Sequence, residues 1–193
     1  MYKLCKTEQS AARQRGLENG LLQIMAVKRY EEISVSDLCD RMQIPRKSFY
    51  RYFDSKDGAL HALIDHTLMD YEGFNAVYLS GERRTLNREL EQFFRFWVKH
   101  KSLLDALAYS SMSGILIERA ISHALSETVM PKRFLPQDSN EIRKQVTMFG
   151  VCGLMSMVIT WHRDGYPQTA VQMAQVAARL IGQPLFPNVE SYL

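Results

Sequence analysis

The hydrophobic positions of this chain recur every three to four residues and almost never alternate. Leu17, Leu21, Ile24 and Met25 follow i, i+4, i+7, i+8 spacing, which predicts one apolar stripe on a helix over about 8–28. After a break at Tyr30-Glu31, Ser34-Val35-Ser36-Asp37 has the form of a capping box, with Asp as a shorter stand-in for Glu. A short helix carrying Leu38 and Met42 is expected to follow. Pro45 restrains Ile44 from helical backbone and suits the first turn of a new helix, so a third helix is expected over about 46–53. Asp54 or Ser55 can cap a fourth, with Leu60, Leu63, Ile64, Leu68 and Tyr71 on its apolar face.

Beyond the polar SGERRT stretch at 80–85, the same period predicts helices over about 85–99, 101–109, 112–129, 138–163 and 168–181. Breaks are expected at Met130-Pro131, in the PQDSN segment at 136–140 and at Gly165-Tyr166-Pro167. The expected fold is all-α: an N-terminal three-helix unit over 1–56, then a larger helical domain over 57–193.

Composition narrows the class. A chain of 193 residues with 46% apolar residues can bury a substantial core. The start, MYKLCKTEQSAARQ, has neither an apolar h-region nor a small-residue cleavage pattern, so the cytoplasm is the expected compartment. The weakly polar run VTMFGVCGLMSMVITW at 146–161 is shorter than the roughly 20 residues of a membrane span and reads as a helix buried in protein. Cys5, Cys39 and Cys152 are odd in number and widely spaced, which predicts neither a disulfide framework nor a metal site. No metal and no cofactor is expected.

Charge adds a direction. Residues 1–56 hold 11 Lys/Arg against 7 Asp/Glu, a net of +4, whereas residues 57–193 hold 13 against 14, a net of −1. A basic excess confined to one end is the footprint expected of a nucleic-acid binder. It is densest in IPRKSFYRYFDSKDGAL at 44–60. As a helix, this segment places Phe49 and Phe53 together at i and i+4, with Lys47 and Arg51 opposite and Ser48 and Tyr50 at the flanks. Aromatics that anchor the helix and cations that face outward are what a short helix entering the major groove requires.

Helix, capped short helix, tight turn and basic-aromatic helix together suggest a helix-turn-helix, and residues 8–60 resemble the DNA-binding domain of the TetR (tetracycline-repressor) family. ISVSDLCDRMQIPRKSFYRYFDSKDGAL carries the likeness, with Tyr-x-Tyr-Phe-x-x-Lys over 50–56. The resemblance implies phosphate contacts from Tyr50, Tyr52 and Lys56, with Ser34 capping the second helix and meeting the backbone. Base readout would fall to Ser36, Arg46, Lys47, Ser48 and Arg51. Gln43 stands where the family usually has Gly, so it is expected to adopt left-handed backbone.

The family likeness further implies a homodimer on a pseudo-palindromic double-stranded DNA operator, and a small-molecule effector bound among the central helices. Candidate pocket residues are Phe94, Trp97, Tyr109, Met112, Phe149 and Cys152, with an apolar or weakly polar ligand expected. The apolar 138–163 segment and the Ala-rich 168–181 segment are the candidate dimer bundle. The five histidines form no HExxH pair and there is no GxSxG elbow, so no enzymatic activity is expected. The sequence reads as a transcriptional regulator, a repressor released by a ligand; the alternative is a ligand-independent DNA-binding protein acting structurally or through a protein partner.

Overall fold

Five helices begin where the chain supplies a hydroxyl to satisfy one of their orphan N–H groups. In the computed structural model, which describes residues 1–78, 85–126 and 140–182, Thr7, Ser34, Ser55, Thr85 and Thr169 each accept a hydrogen bond from the backbone N–H three residues on. These caps open α1 (Glu8–Met25), α2 (Val35–Arg41), α4 (Lys56–Tyr78), α5 (Leu86–Lys99) and α9 (Ala170–Gly182). Between them lie a 3-10 turn at Tyr30–Glu32, α3 (Arg46–Phe49), α6 (Lys101–Tyr109), α7 (Ser113–Ser126) and α8 (Asn140–Arg163). The expected breaks at Met130-Pro131, in PQDSN and across most of SGERRT lie outside the described residues. The all-α expectation holds.

The four α1 positions named from periodicity are all buried, as are Leu38 and, on α4, Leu60, Leu63, Ile64 and Leu68. α1, α2, α3 and the first half of α4 close one core around Phe49 and Phe53, whose rings lie 5.2 Å apart. α4 continues past α5 and α7, and α1 also touches α6. The boundary expected at 56/57 therefore falls in the first turn of a continuous helix. Farther along the same hydrophobic cluster, α9 packs on α5 and α8 on α7, around Phe94, Phe96, Trp97, Leu107, Val158 and Trp161.

Two expectations are corrected. The third helix ends at Phe49 rather than 53. Residues 50–53 turn, with Phe53 N–H still donating to Phe49 O at 3.1 Å, and the segment also pairs with the chain start: Lys3 N–H donates to Tyr52 O at 2.9 Å, Asp54 N–H to Met1 O at 3.1 Å, and Tyr2 bridges Phe53. Gly58 makes room for the chain start, since a Cβ there would stand 2.3 Å from Met1 O. The second correction concerns α8, expected to be buried in protein. At 24 residues it is longer than its apolar run, yet only 17% of its most apolar stretch is buried. By length and composition alone it could cross a membrane. Thr147, Met155, Val158 and Trp161 face inward, whereas Ile142, Phe149, Gly153, Ser156 and Thr160 form an exposed row.

Candidate nucleic-acid interface

The turn that aims α3 is built from backbone hydrogen bonds. Gln43 N–H donates to Asp40 O at 3.2 Å and Ile44 N–H to Cys39 O at 3.0 Å, the paired bonds of a Schellman motif closing α2. Its left-handed residue is Gln43, at φ 51°, as the sequence suggests. Pro45 then enters at φ −63°, a value its ring imposes. α3 is thereby started without a side-chain cap.

Upstream, the capping box is complete. Asp37 accepts from the Ser34 N–H at 2.6 Å and from the Ser34 hydroxyl at 2.8 Å, while its own N–H donates to Ser34 Oγ at 3.1 Å. These bonds, with Lys28 Nζ 3.2 Å away, hold the Asp37 carboxyl down to about 2. Ser34 is thus engaged as a cap, at the exposed end of α2.

The outward face of α3 carries Arg46 and Lys47, both exposed, and half-buried Ser48; Tyr50 and Arg51 continue it into the turn. The Arg46 guanidinium donates to the Ser36 hydroxyl, so two expected base-reading residues from different helices meet. Two others are placed differently. Tyr52 is only 6% exposed, its ring packed beside Phe53; two positions earlier, Tyr50 points the opposite way and at 47% stays outside. Lys56 lies under the motif. Its ammonium donates to Tyr30 O and Ile33 O, each at 2.6 Å, and sits 4.2 Å from the centre of the Tyr30 ring.

Lys56 belongs to a lock around Tyr30. The Tyr30 hydroxyl donates to Asp57 at 2.6 Å, and burial together with that carboxylate pushes its pKa far up. On the other side, the Ser110 hydroxyl accepts from Tyr30 N–H at 3.0 Å, tying the end of α6 to the lead-in of α2. A second tie runs from Tyr2, whose hydroxyl donates to Asp65 at 2.9 Å, to Arg119 of α7, whose Nε donates to the same carboxylate at 2.7 Å. Sequence reasoning missed Lys3, whose Nζ reaches Tyr50 O at 3.2 Å beside the exposed face. Residues 1–6 have no periodicity that could have flagged it.

The expected pocket residues differ in their surroundings, and none of the six lines the cleft beside α5. Phe94 and Trp97 are packed in the aromatic core, the Trp97 N–H without an acceptor among the described residues. Tyr109 and Phe149 are exposed, and Met112 and Cys152 half-buried. Helical spacing brings aromatics to one core but cannot say which ones leave space between them. A cleft of about 480 Å³ lies elsewhere, where α5 meets the end of α8 and the start of α9. The three cysteines are free thiols, and among the described residues no group of three or more His, Cys, Asp or Glu could hold a metal ion.

No family model matches the chain. It is 37% identical over 87 residues to the HTH-type transcriptional regulator EthR of Mycolicibacterium smegmatis, a match covering 43% of this chain and 40% of that protein. The chain thus spans less than half the length of the curated relative it matches. Among solved structures, its fold is similar to the fatty acid degradation regulator FadR from Bacillus halodurans, with a TM-score of 0.57 at 13% identity over 90% of this chain and 99% of that one. It is also similar to Lin0861 from Listeria innocua, with a TM-score of 0.64 at 16% identity over 93% of this chain and 97% of that one.

Proposed function

We propose that this chain, whose fold and helix-turn-helix are those of a TetR-family transcriptional regulator, binds a pseudo-palindromic operator as a homodimer and is a cytoplasmic repressor released by a small-molecule effector. The observation that carries DNA binding is the exposed row Arg46, Lys47, Tyr50 and Arg51 on a segment held rigidly by the buried Phe49 and Phe53. Cationic forks and hydroxyls on a fixed helix suit base edges and phosphates. In this reading Ser36 and Arg46 act as a pair, with Lys47, Ser48 and Arg51 also reading bases and Tyr50 and Lys3 contacting phosphate. Lys56 and Tyr52 hold the frame.

The second copy is suggested by the outer row of α8, where Gly153 and Ser156 permit close approach beside Phe149. On α9, Val176, Leu180 and Ile181 are also exposed. Exposed apolar side chains of this kind suit an interaction surface, and a dimer supplies the two linked half-sites that one short helix needs. Because α8 packs on α7 along its other side, a protein partner suits this face better than lipid. The cleft favours an effector-responsive protein over the ligand-independent alternative, since a site of several hundred Å³ is what a small ligand requires.

Selecting genomic fragments on the purified protein and measuring their affinity against salt tests the reading. A specific site with two half-sites about one or two helical turns apart is expected. Binding with no sequence preference at any salt concentration would sink it.

A further inference from the structure

The cleft beside α5 has a chemistry that the expected pocket residues lacked. Its walls include the rings of Phe74, Trp161 and Tyr166, and its rim carries Arg95, Lys99 and Lys101, while among the described residues no carboxylate lines it. Arg95 is paired with Glu91 at 2.7 Å and Lys101 with Asp105 at 2.6 Å. Both are i,i+4 pairs with exposed cations, a class of interaction too weak to prevent either cation from turning to a ligand. The Lys99 ammonium lies 4.5 Å from the centre of the Phe74 ring.

Tyr166 adds a more specific signal. Its N–H closes α8 by donating to Trp161 O at 2.9 Å, and the residue sits at φ 60°, an uncommon conformation for a bulky side chain. This holds its ring edge-on to Trp161, with ring centres 4.7 Å apart. The hydroxyl is buried and has no hydrogen-bond partner among the described residues. Burial, aided by Asp105, pushes its pKa up to about 12, so it keeps its proton and remains a donor in want of an acceptor. A buried unmet donor is unfavourable unless something completes it.

We propose that this cleft binds an amphipathic anion, a molecule with an apolar ring or chain body against Phe74, Trp161 and Tyr166 and a carboxylate-like head drawn by Arg95, Lys99 and Lys101. The Tyr166 hydroxyl donates to the ligand. This replaces the apolar or weakly polar ligand expected from sequence, and it rests on the effector reading above for its regulatory meaning.

Calorimetric titration of the full chain with naphthoate, neutral naphthamide and cationic naphthylmethylammonium separates the head group from the body. Naphthoate is expected to bind about tenfold tighter than the amide, the scale of one charge-assisted hydrogen bond. The ammonium compound is expected to bind weakest. Replacing the exposed Arg95 and Lys99 together by Gln should abolish the preference for the anion. Tyr166→Phe should weaken naphthoate several-fold without lowering the unfolding temperature. Equal binding of acid and amide, or a preference that survives the double substitution, overturns the assignment. Operator release is measured separately: naphthoate bound without release would refute the effector role and leave the site standing. Release by other small molecules, with no naphthoate binding, would refute the site and leave the effector role standing.

Discussion

The helix-turn-helix and the α8–α9 surface are built in opposite ways. Around α2 and α3, polar groups find partners within the chain: Ser34 with Asp37, Lys56 with two carbonyls, Tyr30 with both Asp57 and Ser110. Phe49, Tyr52 and Phe53 are buried, and the exposed face of α3 is cationic. On α8 and α9 the situation reverses, with Phe149 71% exposed and Leu180 and Ile181 about half exposed. One region completes itself and offers charge to a polyanion; the other is completed only by another apolar surface.

The largest test breaks the second region. Phe149→Glu places a charge on the exposed row, and we expect a monomer by sedimentation with operator affinity lower by about two orders of magnitude, the scale of lost avidity. Retention of a dimer would place the interface elsewhere. In the first region, Phe49→Ala removes a fully buried ring and should cost about 3–5 kcal/mol in denaturant unfolding. Lys56→Ala leaves the Tyr30 and Ile33 carbonyls without their cation, a loss of about 2 kcal/mol in unfolding free energy. If Lys56 is part of the frame, the salt dependence of DNA binding measured on the folded variant stays unchanged; a slope smaller by one phosphate contact would make Lys56 a direct contact.

Smaller effects sharpen the comparison. Ser34→Ala removes the α2 cap and should destabilise by about 1 kcal/mol. The Asp37 partner has a depressed pKa, so its contribution is fully present above its ordinary value of 3.8 and is lost as pH falls through about 2. Unfolding curves should lose the difference between wild type and Asp37→Asn over that window. Gln43→Gly relieves left-handed strain at the expense of chain entropy, so a gain of about 0.5–1 kcal/mol is expected. No gain would mean that the Gln43 side chain holds the turn by contacts that offset the strain.

Much of this protein was legible because helices report themselves locally. The stripe from Leu17 to Met25 and the Ser34 box each depend on residues within a turn or two of one another, and sequence spacing carries that information, whereas the left-handed Gln43 was expected from the family resemblance. Tyr50 and Tyr52 show the limit. The family likeness offers them as a matched pair, but one faces solvent and the other the core, as an offset of two residues, about 200° on a helix, requires. The pairing of the chain start with residues 52–54 was hidden for another reason, since it has no periodic signature and its partners are about fifty positions apart.

By itself the sequence determined the order and approximate ends of the helices, the apolar face of each in the DNA-binding unit, and the basic face of α3, since these follow from backbone periodicity and side-chain charge. Only the tertiary structure decided that Lys56 turns inward to Tyr30, that Phe94 and Trp97 are packed core, and that the cleft forms beside Tyr166 with cations at its rim. Such outcomes depend on which distant surfaces meet and how much space they leave, quantities set by packing among helices rather than by any one helix.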